Sequence, residues 1–301
     1  MKLKHWIVFI LVGAIWSSSF MWIKLALREV TPSALVAIRV TLGFLFGITV
    51  IIITGIKLPR SLKTWMPLII LGITNFSAPF FLISWGEKSI DSSLASVLDA
   101  TVPLFTIFLA HYLLRDDKMT VQKILGLFIG FFGVIILLSK NIGASSSTIL
   151  GEIAVILASL FYAGSAVFIR KTTQDIPGIL RSTIPMFTAS IIMWTTTLLT
   201  ENSIQVPKLE LTWAALLFLG IIGSGLAFLM AFYLIHEIGP TRSTMVTYIF
   251  PLGGVILGVT FLHEQITWQL LLGGILIVSS LLIVNWKASV KLSLKSVKAE
   301  V

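Results

Sequence analysis

Two stretches of this chain align without a gap: residues 65–86, WMPLIILGITNFSAPFFLISWG, and residues 213–234, WAALLFLGIIGSGLAFLMAFYL. Each stretch is as long as the roughly 20 apolar residues that a helix needs to cross a bilayer. The positions that match at a constant offset of 148 residues include Trp65 and Trp213, Gly72 and Gly220, Phe80 and Phe228, Pro103 and Pro251, and Gly126 and Gly274. The register holds from about residue 65 to 286, so the sequence predicts an internal repeat of membrane-spanning helices.

The composition of the whole chain supports a membrane protein. Of its 301 residues, 56% are hydrophobic and only 12% are charged. Soluble domains are about 25% charged, and disordered chains are poor in large apolar residues, so both classes are excluded. The chain has no cysteine, which excludes disulfides, thiolate metal sites and a catalytic thiol.

Ten stretches are long and apolar enough to span a membrane, and we number them spans 1 to 10. Tryptophans lie near several of their ends, as is typical of the membrane interface. The first stretch resembles a signal peptide, but it has no evident cleavage site, so we interpret it as a retained span. The ten stretches lie near 6–27, 33–54, 65–86, 92–114, 120–138, 148–170, 179–200, 211–235, 240–262 and 268–286.

The distribution of lysine and arginine predicts the orientation. If the N-terminus is cytoplasmic, 16 of the 22 basic residues face the cytoplasm, five face outside, and Arg39 lies inside span 2. This bias places both termini in the cytoplasm and the protein in the cytoplasmic membrane. The net charge of +9 is therefore explained by topology and by attraction to membrane lipid, not by nucleic acid.

We predict two five-span repeats, residues 1–140 and 141–287, followed by a basic tail over 288–301. Five is an odd number, so the second repeat enters the membrane upside down, and inverted repeats of this kind are a transporter architecture. The predicted fold is therefore an all-α integral membrane protein with ten transmembrane helices. The tail is either an interfacial amphipathic helix or a frayed basic end that only fixes topology.

The chain resembles the ten-span EamA-type members of the drug/metabolite transporter superfamily. The resemblance covers nearly the whole chain and rests on GAIWSSSF at 13–20, on Pro32 followed by Arg39, and on the Pro103 and Pro251 segments. It implies transport of small metabolites, amino acids among them, with spans 4 and 9 moving against spans 1, 3, 6 and 8. One departure is that Arg115-Asp116 and His263-Glu264 stand where similar proteins carry Gly-Glu.

Two ionisable residues lie inside predicted spans, where a charge is rare and costly. Arg39 is seven residues into span 2, and Asp99 is eight residues into span 4, so both lie about 10–12 Å below the outer face. In a substrate site, Arg39 would bind a carboxylate, and Asp99 would bind an ammonium group or a coupling proton. The alternative is a permanent structural pair that joins two helices.

Span 4 also carries a polar stripe that recurs in span 9. The stripe residues are Ser92, Ser96, Asp99 and Pro103 in span 4, and Pro240, Thr244, Thr247 and Pro251 in span 9. Proline removes a backbone donor, so Pro103 and Pro251 predict kinks that serve as hinges or gates. The stripes either line the pathway or form a Ser/Thr packing face between helices.

Further predicted substrate-binding residues are repeat-related or lie in mid-span. His111 is a second candidate for proton coupling beside Asp99, with a purely interfacial histidine as the alternative. Glu87, Lys88 and Asp91 are expected to be solvated loop charges. The predicted substrate-binding residues beyond Arg39, Ser96 and Asp99 are Trp16, Ser19, Asn75, Tyr162, Ser165, Thr247 and Tyr248.

These features predict a secondary transporter that moves a small organic metabolite, such as an amino acid, by alternating access, with export as the favoured direction. No catalytic constellation, metal-ligand set or cofactor motif is evident, and Asp116-Asp117 is an isolated acidic pair. The alternatives are an intramembrane enzyme that modifies a lipid or isoprenoid, and a channel. The sequence leaves the substrate, the driving force and the oligomeric state open.

Overall fold

The computed structural model describes residues 3–114, 119–139, 145–201, 206–238 and 243–298, without the side chains of 235, 236, 244, 245 and 285–298. Within these ranges the regular structure is entirely helical, which confirms the predicted all-α membrane fold. Eight helices are long and apolar enough to cross a membrane, and two shorter apolar helices supply spans 9 and 10.

The helices begin and end within a few residues of the predicted spans. Span 10 is longer than expected, because its backbone stays helical as far as Lys298, within the predicted basic tail. The observed bounds, from span 1 to span 10, are Leu3–Ala26, Pro32–Thr54, Leu62–Gly86, Ser92–Leu113, Val121–Ser139, Ser146–Thr172, Gly178–Thr200, Glu210–Ile238, Thr244–Leu262 and Trp268–Lys298.

The repeat is visible in the irregularities of the backbone. Span 3 contains a π-helical segment, Gly72–Ser77, and span 8 contains another, Phe218–Leu226. The offset of 148 residues places the first segment inside the second. A π-helical segment shifts the backbone hydrogen bonds by one residue and is frequent at functional sites. Both repeats therefore place the same local distortion at the same depth.

Spans 4 and 9 are also irregular at matching positions. In span 4 the α-helix stops at Asp99 and resumes at Val102, just before Pro103. In span 9 a 3₁₀ turn, Thr244–Tyr248, precedes the α-helix that contains Pro251. Each break lies within one turn of its proline, which lacks the N–H that would continue the helix.

Two tryptophans repeat the same contact at the start of spans 3 and 8. The indole N–H of Trp65 donates to the Pro59 carbonyl at 2.9 Å, and that of Trp213 donates to the Pro207 carbonyl at 3.0 Å. An indole at the interface keeps its ring in apolar surroundings while its N–H finds a polar partner. These contacts fix both loops in the same way, as an internal repeat requires.

Helix packing follows an approximate two-fold relation between the repeats. Span 1 packs on spans 8 and 9, and its counterpart, span 6, packs on spans 3 and 4. Spans 2 and 7, spans 4 and 9, and spans 5 and 10 pack on their own counterparts. This interlocked arrangement brings spans 1, 3, 4, 6, 8 and 9 together around the middle of the bundle, with spans 5 and 10 as a separate pair.

Spans 5 and 10 approach closely through glycine. A Cβ atom on Gly133 would lie 2.8 Å from the carbonyl oxygen of Gly273, and one on Gly273 would lie 2.8 Å from that of Gly133. Overpacking of this kind costs about 1–3 kcal/mol. We therefore expect Gly133→Ala to lower the midpoint of thermal unfolding in detergent micelles. Gly164→Ala is the control, because nothing lies within 4 Å of its added Cβ. Equal midpoints for the two variants would contradict this account of the contact.

Candidate substrate site between the repeats

Arg39 lies on span 2 and is only 5% exposed. Its Nε atom donates to Ser224 Oγ at 2.9 Å, and its guanidinium lies 3.8 Å from the centroid of the Phe80 ring. No described residue accepts a hydrogen bond from its two terminal nitrogens. The planar guanidinium is thus held in place by one bond and one aromatic face, while its carboxylate-binding edge has no protein partner.

Asp99 ends the first half of span 4, immediately before the break in the helix, and is also 5% exposed. Ser159 of span 6 donates to its Oδ1 at 3.4 Å. Asp99 and Arg39, both among the described residues, form no ion pair, so the predicted structural pair is absent. Tyr162 of span 6 is close enough to both residues to interact electrostatically with each of them.

Aromatic rings connect span 1 to the face on which Arg39 lies. Trp16 packs edge-on against Phe228 at 5.3 Å, and Phe228 lies 5.1 Å from Phe76. Phe76 in turn packs on Phe80, the ring beneath Arg39, at 5.7 Å. Three spans, 1, 3 and 8, therefore share one aromatic wall beside the charged groups.

The π-helical segments supply the polar partners of this wall. The indole N–H of Trp16 donates to the carbonyl of Gly223 at 3.1 Å. Gly223 and Ser224, the partner of Arg39, both belong to the π segment of span 8. In span 3, the corresponding segment contains Thr74, whose hydroxyl accepts a bond from Ser165 at 2.9 Å. The local distortion thus presents polar groups toward spans 1, 2 and 6.

Most of the predicted residues in spans 1, 3 and 6 lie around this centre. Ser19 is buried and lies close to Gly223, with its hydroxyl bonded to the Ile15 carbonyl. Asn75 is half-buried within the π segment of span 3. Together with Trp16, Tyr162 and Ser165, these side chains come from both repeats.

Other predicted residues have different surroundings. Ser96 is fully buried against span 9, where a Cβ on Gly254 would overlap its hydroxyl, and the hydroxyl donates to the Ser93 carbonyl. Tyr248 donates to the Leu281 carbonyl at 2.8 Å, toward span 10. The part of the stripe at Ser96 thus has the packing role that was the alternative. Thr247 lies half-buried in the 3₁₀ turn that begins span 9.

His111 accepts a hydrogen bond from the backbone N–H of Met119 at 3.1 Å, so it joins span 4 to the loop that leads into span 5. This contact is at the far end of span 4 from Ser92 and gives His111 a structural role. Two predicted features, Arg115-Asp116 and Pro240, lie outside the described residues.

Sequence reasoning missed the role of Glu264, which lies in the loop between spans 9 and 10. Its two carboxylate oxygens accept hydrogen bonds from the backbone N–H and the hydroxyl of both Ser92 and Ser93. A carboxylate at a helix N-terminus is stabilised by the unpaired N–H groups and by the helix dipole. Glu264 therefore joins span 9 to the start of span 4. The sequence feature that could have indicated this role is the position of Glu264, where similar proteins carry the Glu of a Gly-Glu pair.

Two further glutamates make similar contacts on the same side of the bundle. Glu29 accepts hydrogen bonds from Thr212 and from the backbone of Leu209 at the start of span 8, and these bonds lower the pKa of its carboxyl. Glu201 accepts bonds from the hydroxyls of Thr31 and Ser33 at the start of span 2. At this end of the molecule, carboxylates from the loops thus accept hydrogen bonds at the starts of neighbouring helices and hold those loops in place.

We expect Glu264→Ala to open this end of the bundle. A hydrogen bond to a charged group contributes about 1.5–3 kcal/mol, so losing even one such bond raises the open population about tenfold. Since the chain has no cysteine, a single Ser96→Cys reporter, placed behind the contact, measures opening by its labelling rate with a membrane-impermeant maleimide. Glu210→Ala, at an exposed carboxylate that begins span 8, is the control. An unchanged labelling rate in Glu264→Ala would contradict a closing role.

A ten-helix membrane bundle built from two inverted repeats with a polar centre between them is an architecture of membrane transporters. The sequence pattern of the EamA-like transporter family matches this chain twice, over residues 4–139 and 149–286. The chain belongs to that family and is a multi-pass membrane protein of the transporter class.

The relatives are themselves described as transporters. The uncharacterized transporter YoaV of Bacillus subtilis is 26% identical over 270 residues, which cover 88% of this chain and 91% of the relative. An uncharacterized transporter of Archaeoglobus fulgidus is 25% identical over 284 residues, or 94% and 99% of the two chains. A solved crystal structure superposes with a TM-score of 0.69 at 18% identity, covering 96% and 99%, and supports the fold.

Proposed function

We propose that this transporter moves a small zwitterionic solute of the amino-acid type across the cytoplasmic membrane by alternating access. Arg39 binds the carboxylate of the solute, and Asp99 binds its ammonium group. Trp16 and Tyr162 contact the remainder, with Ser19, Asn75 and Ser165 beside them. Both termini are cytoplasmic in this proposal, and export is the direction of net transport.

The observation that carries the proposal is that Arg39 and Asp99 are both buried but do not pair with each other. A buried charge without an ionic partner is costly, so such groups are expected to meet a charged ligand. Opposite charges on two different spans, with Tyr162 acting on both, match a molecule that carries both charges.

The breaks in spans 4 and 9 are points at which these helices can bend, and alternating access requires such bending. Spans 4 and 9 pack against each other, and each is interrupted one turn before its proline. We propose that bending at Pro103 and Pro251 exposes the site first to one side and then to the other. The contact between Glu264 and the start of span 4 closes the outer side.

Flux in proteoliposomes tests this function. Vesicles that contain the purified protein are loaded with an equimolar mixture of the twenty standard amino acids, and the loss of each is measured against protein-free vesicles. We expect saturable, selective loss of one chemical group of amino acids. Flux that does not saturate would instead indicate a channel. No protein-dependent flux of any of the twenty from a folded sample would contradict the proposed substrate class.

A further inference from the structure

Glu87 is a buried carboxylate to which no described residue donates a hydrogen bond. It follows the last residue of span 3, in a segment that the sequence predicted to be solvated. That prediction was wrong for Glu87, which is 0% exposed and whose carboxylate oxygens have no hydrogen-bond donor among the described residues, whereas Lys88 is exposed. Buried polar groups are nearly always satisfied, so an unpaired carboxyl group requires a specific explanation.

The position of Glu87 links the outer side to the proposed substrate site. It borders a cavity of about 550 Å³ between the loops that follow spans 1, 3 and 9. Four charged groups act on its carboxyl group: Lys24 of span 1, Glu264 of the loop after span 9, Arg39 of span 2 and Asp99 of span 4. Glu87 therefore borders the outer cavity and lies within electrostatic range of both Arg39 and Asp99.

Lys24 does not neutralise Glu87 by a direct ion pair. Its Nζ atom donates instead to the backbone carbonyls of Glu87, at 2.6 Å, and Ile90, at 2.7 Å. The ammonium group thus satisfies two backbone carbonyls just after span 3 and donates no hydrogen bond to the Glu87 carboxyl group. Burial raises the pKa of Glu87 well above that of a solvated glutamate, with Lys24 acting in the opposite direction.

We propose that Glu87 is the proton-binding residue that couples solute transport to the proton gradient, an inference that rests on the proposed function. Closure of the outer end buries Glu87 without a hydrogen-bond donor, so closure requires the neutral acid. A hydronium ion in the outer cavity gives a proton to the carboxylate: one of its O–H bonds breaks, the carboxyl O–H bond forms, and a water molecule is left. When the inner side opens, that bond breaks and the proton passes to water from the cytoplasm. One proton enters for each outer closure.

The charges around Glu87 explain how the proton and the solute influence each other. Asp99 and Glu264 disfavour a negative Glu87, whereas Lys24 and Arg39 favour it. A solute carboxylate on Arg39 weakens the favourable effect of that residue and promotes protonation. A solute ammonium on Asp99 has the opposite effect. Asp99 remains the solute ligand in this scheme, so the proton-coupling role predicted for Asp99 and His111 moves to Glu87.

The test compares Glu87→Gln, Glu210→Gln and the wild type in proteoliposomes. Glutamine resembles the protonated acid, so Glu87→Gln closes without a proton. Exchange of labelled for unlabelled amino acids at equal pH is expected to stay within about twofold of the wild type. A gradient of one pH unit is expected to sustain about a tenfold solute ratio in the wild type and in Glu210→Gln, but none in Glu87→Gln. A solute ratio that Glu87→Gln sustains as well as the wild type would overturn the proposal, as would net amino-acid transport by the wild type that moves no protons.

An infrared measurement tests Glu87 independently of transport. In an Asp99→Asn background, the purified protein at neutral pH is expected to show the carbonyl band of a protonated carboxylic acid. Glu87→Gln should remove this band, and Glu87→Asp should shift it, which keeps the test valid if the glutamine variant does not fold. Absence of the band from the Asp99→Asn protein would overturn the proposal. If no amino acid exchanges at all, the proposed substrate class fails, and the infrared result still decides the protonation of Glu87.

Discussion

Arg39→Gln is expected to lower amino-acid flux at limiting concentration by about 100-fold. Among the described residues, the terminal nitrogens of Arg39 have no acceptor, so we assign them to the solute carboxylate, for which the guanidinium fork is suited. Truncating one member of a buried charge pair costs about 2–5 kcal/mol, and each 1.4 kcal/mol is a factor of ten. The measurement is the KM for an amino acid and for the amine that lacks its carboxyl group.

The comparison between the amino acid and the amine distinguishes a solute-binding role of Arg39 from a purely structural one. If Arg39 binds the carboxylate, Arg39→Gln loses affinity for the amino acid but transports the amine as the wild type does. If Arg39 only supports the packing of Phe80 and Ser224, both solutes lose flux equally, and this outcome would contradict the assignment. Arg39→Lys retains the charge without the planar fork and is expected to fall between the two.

Asp99→Asn is expected to produce the reciprocal loss. The substitution keeps the shape and retains an oxygen that can accept the bond from Ser159, but it removes the charge that attracts an ammonium group. We expect flux of the amino acid at limiting concentration to fall about 100-fold, by the same cost of about 2–5 kcal/mol. Flux of the 2-hydroxy acid, which lacks the ammonium group, should change little.

Ser159→Ala provides the matched control for Asp99. It removes one hydrogen bond to the carboxylate that is long, at 3.4 Å, so the loss is expected to cost about 1 kcal/mol, below the range for short bonds to charged groups, and to weaken binding only about fivefold. Equal losses of amino acid and 2-hydroxy acid in Asp99→Asn would show that Asp99 stabilises spans 4 and 6 rather than binding the solute.

The ten spans and the repeat were predictable because their signals are local. A helix in lipid must satisfy its own backbone bonds, so the run of apolar residues that starts at Trp65 and the one that starts at Trp213 each define a span without knowledge of the other spans. Proline acts within one turn, and the breaks before Pro103 and Pro251 followed for the same reason. Arg39 and Asp99 were found because a charge inside an apolar run is conspicuous in the sequence.

The partners of these residues were not predictable. Arg39 lies 185 residues from Ser224, and Ser92 lies 172 residues from Glu264. The π segment of span 8, which contains Gly223 and Ser224, lies where spans 1, 2 and 8 meet. The sequence of this segment alone is compatible with a regular helix.

The sequence by itself determined that this protein is a helical membrane transporter with two repeats, because the cost of placing each residue in lipid depends on the residue and its near neighbours. The tertiary structure decided that Arg39 and Asp99 form no ion pair and that Glu264 accepts the hydrogen bonds of Ser92 and Ser93 at the start of span 4. It also decided that Glu87, in a charged and hydrophilic segment, is buried. The reason is that burial and pairing of a charge depend on groups brought together across the whole chain, and the packing of spans 1, 3, 6 and 9 creates those surroundings.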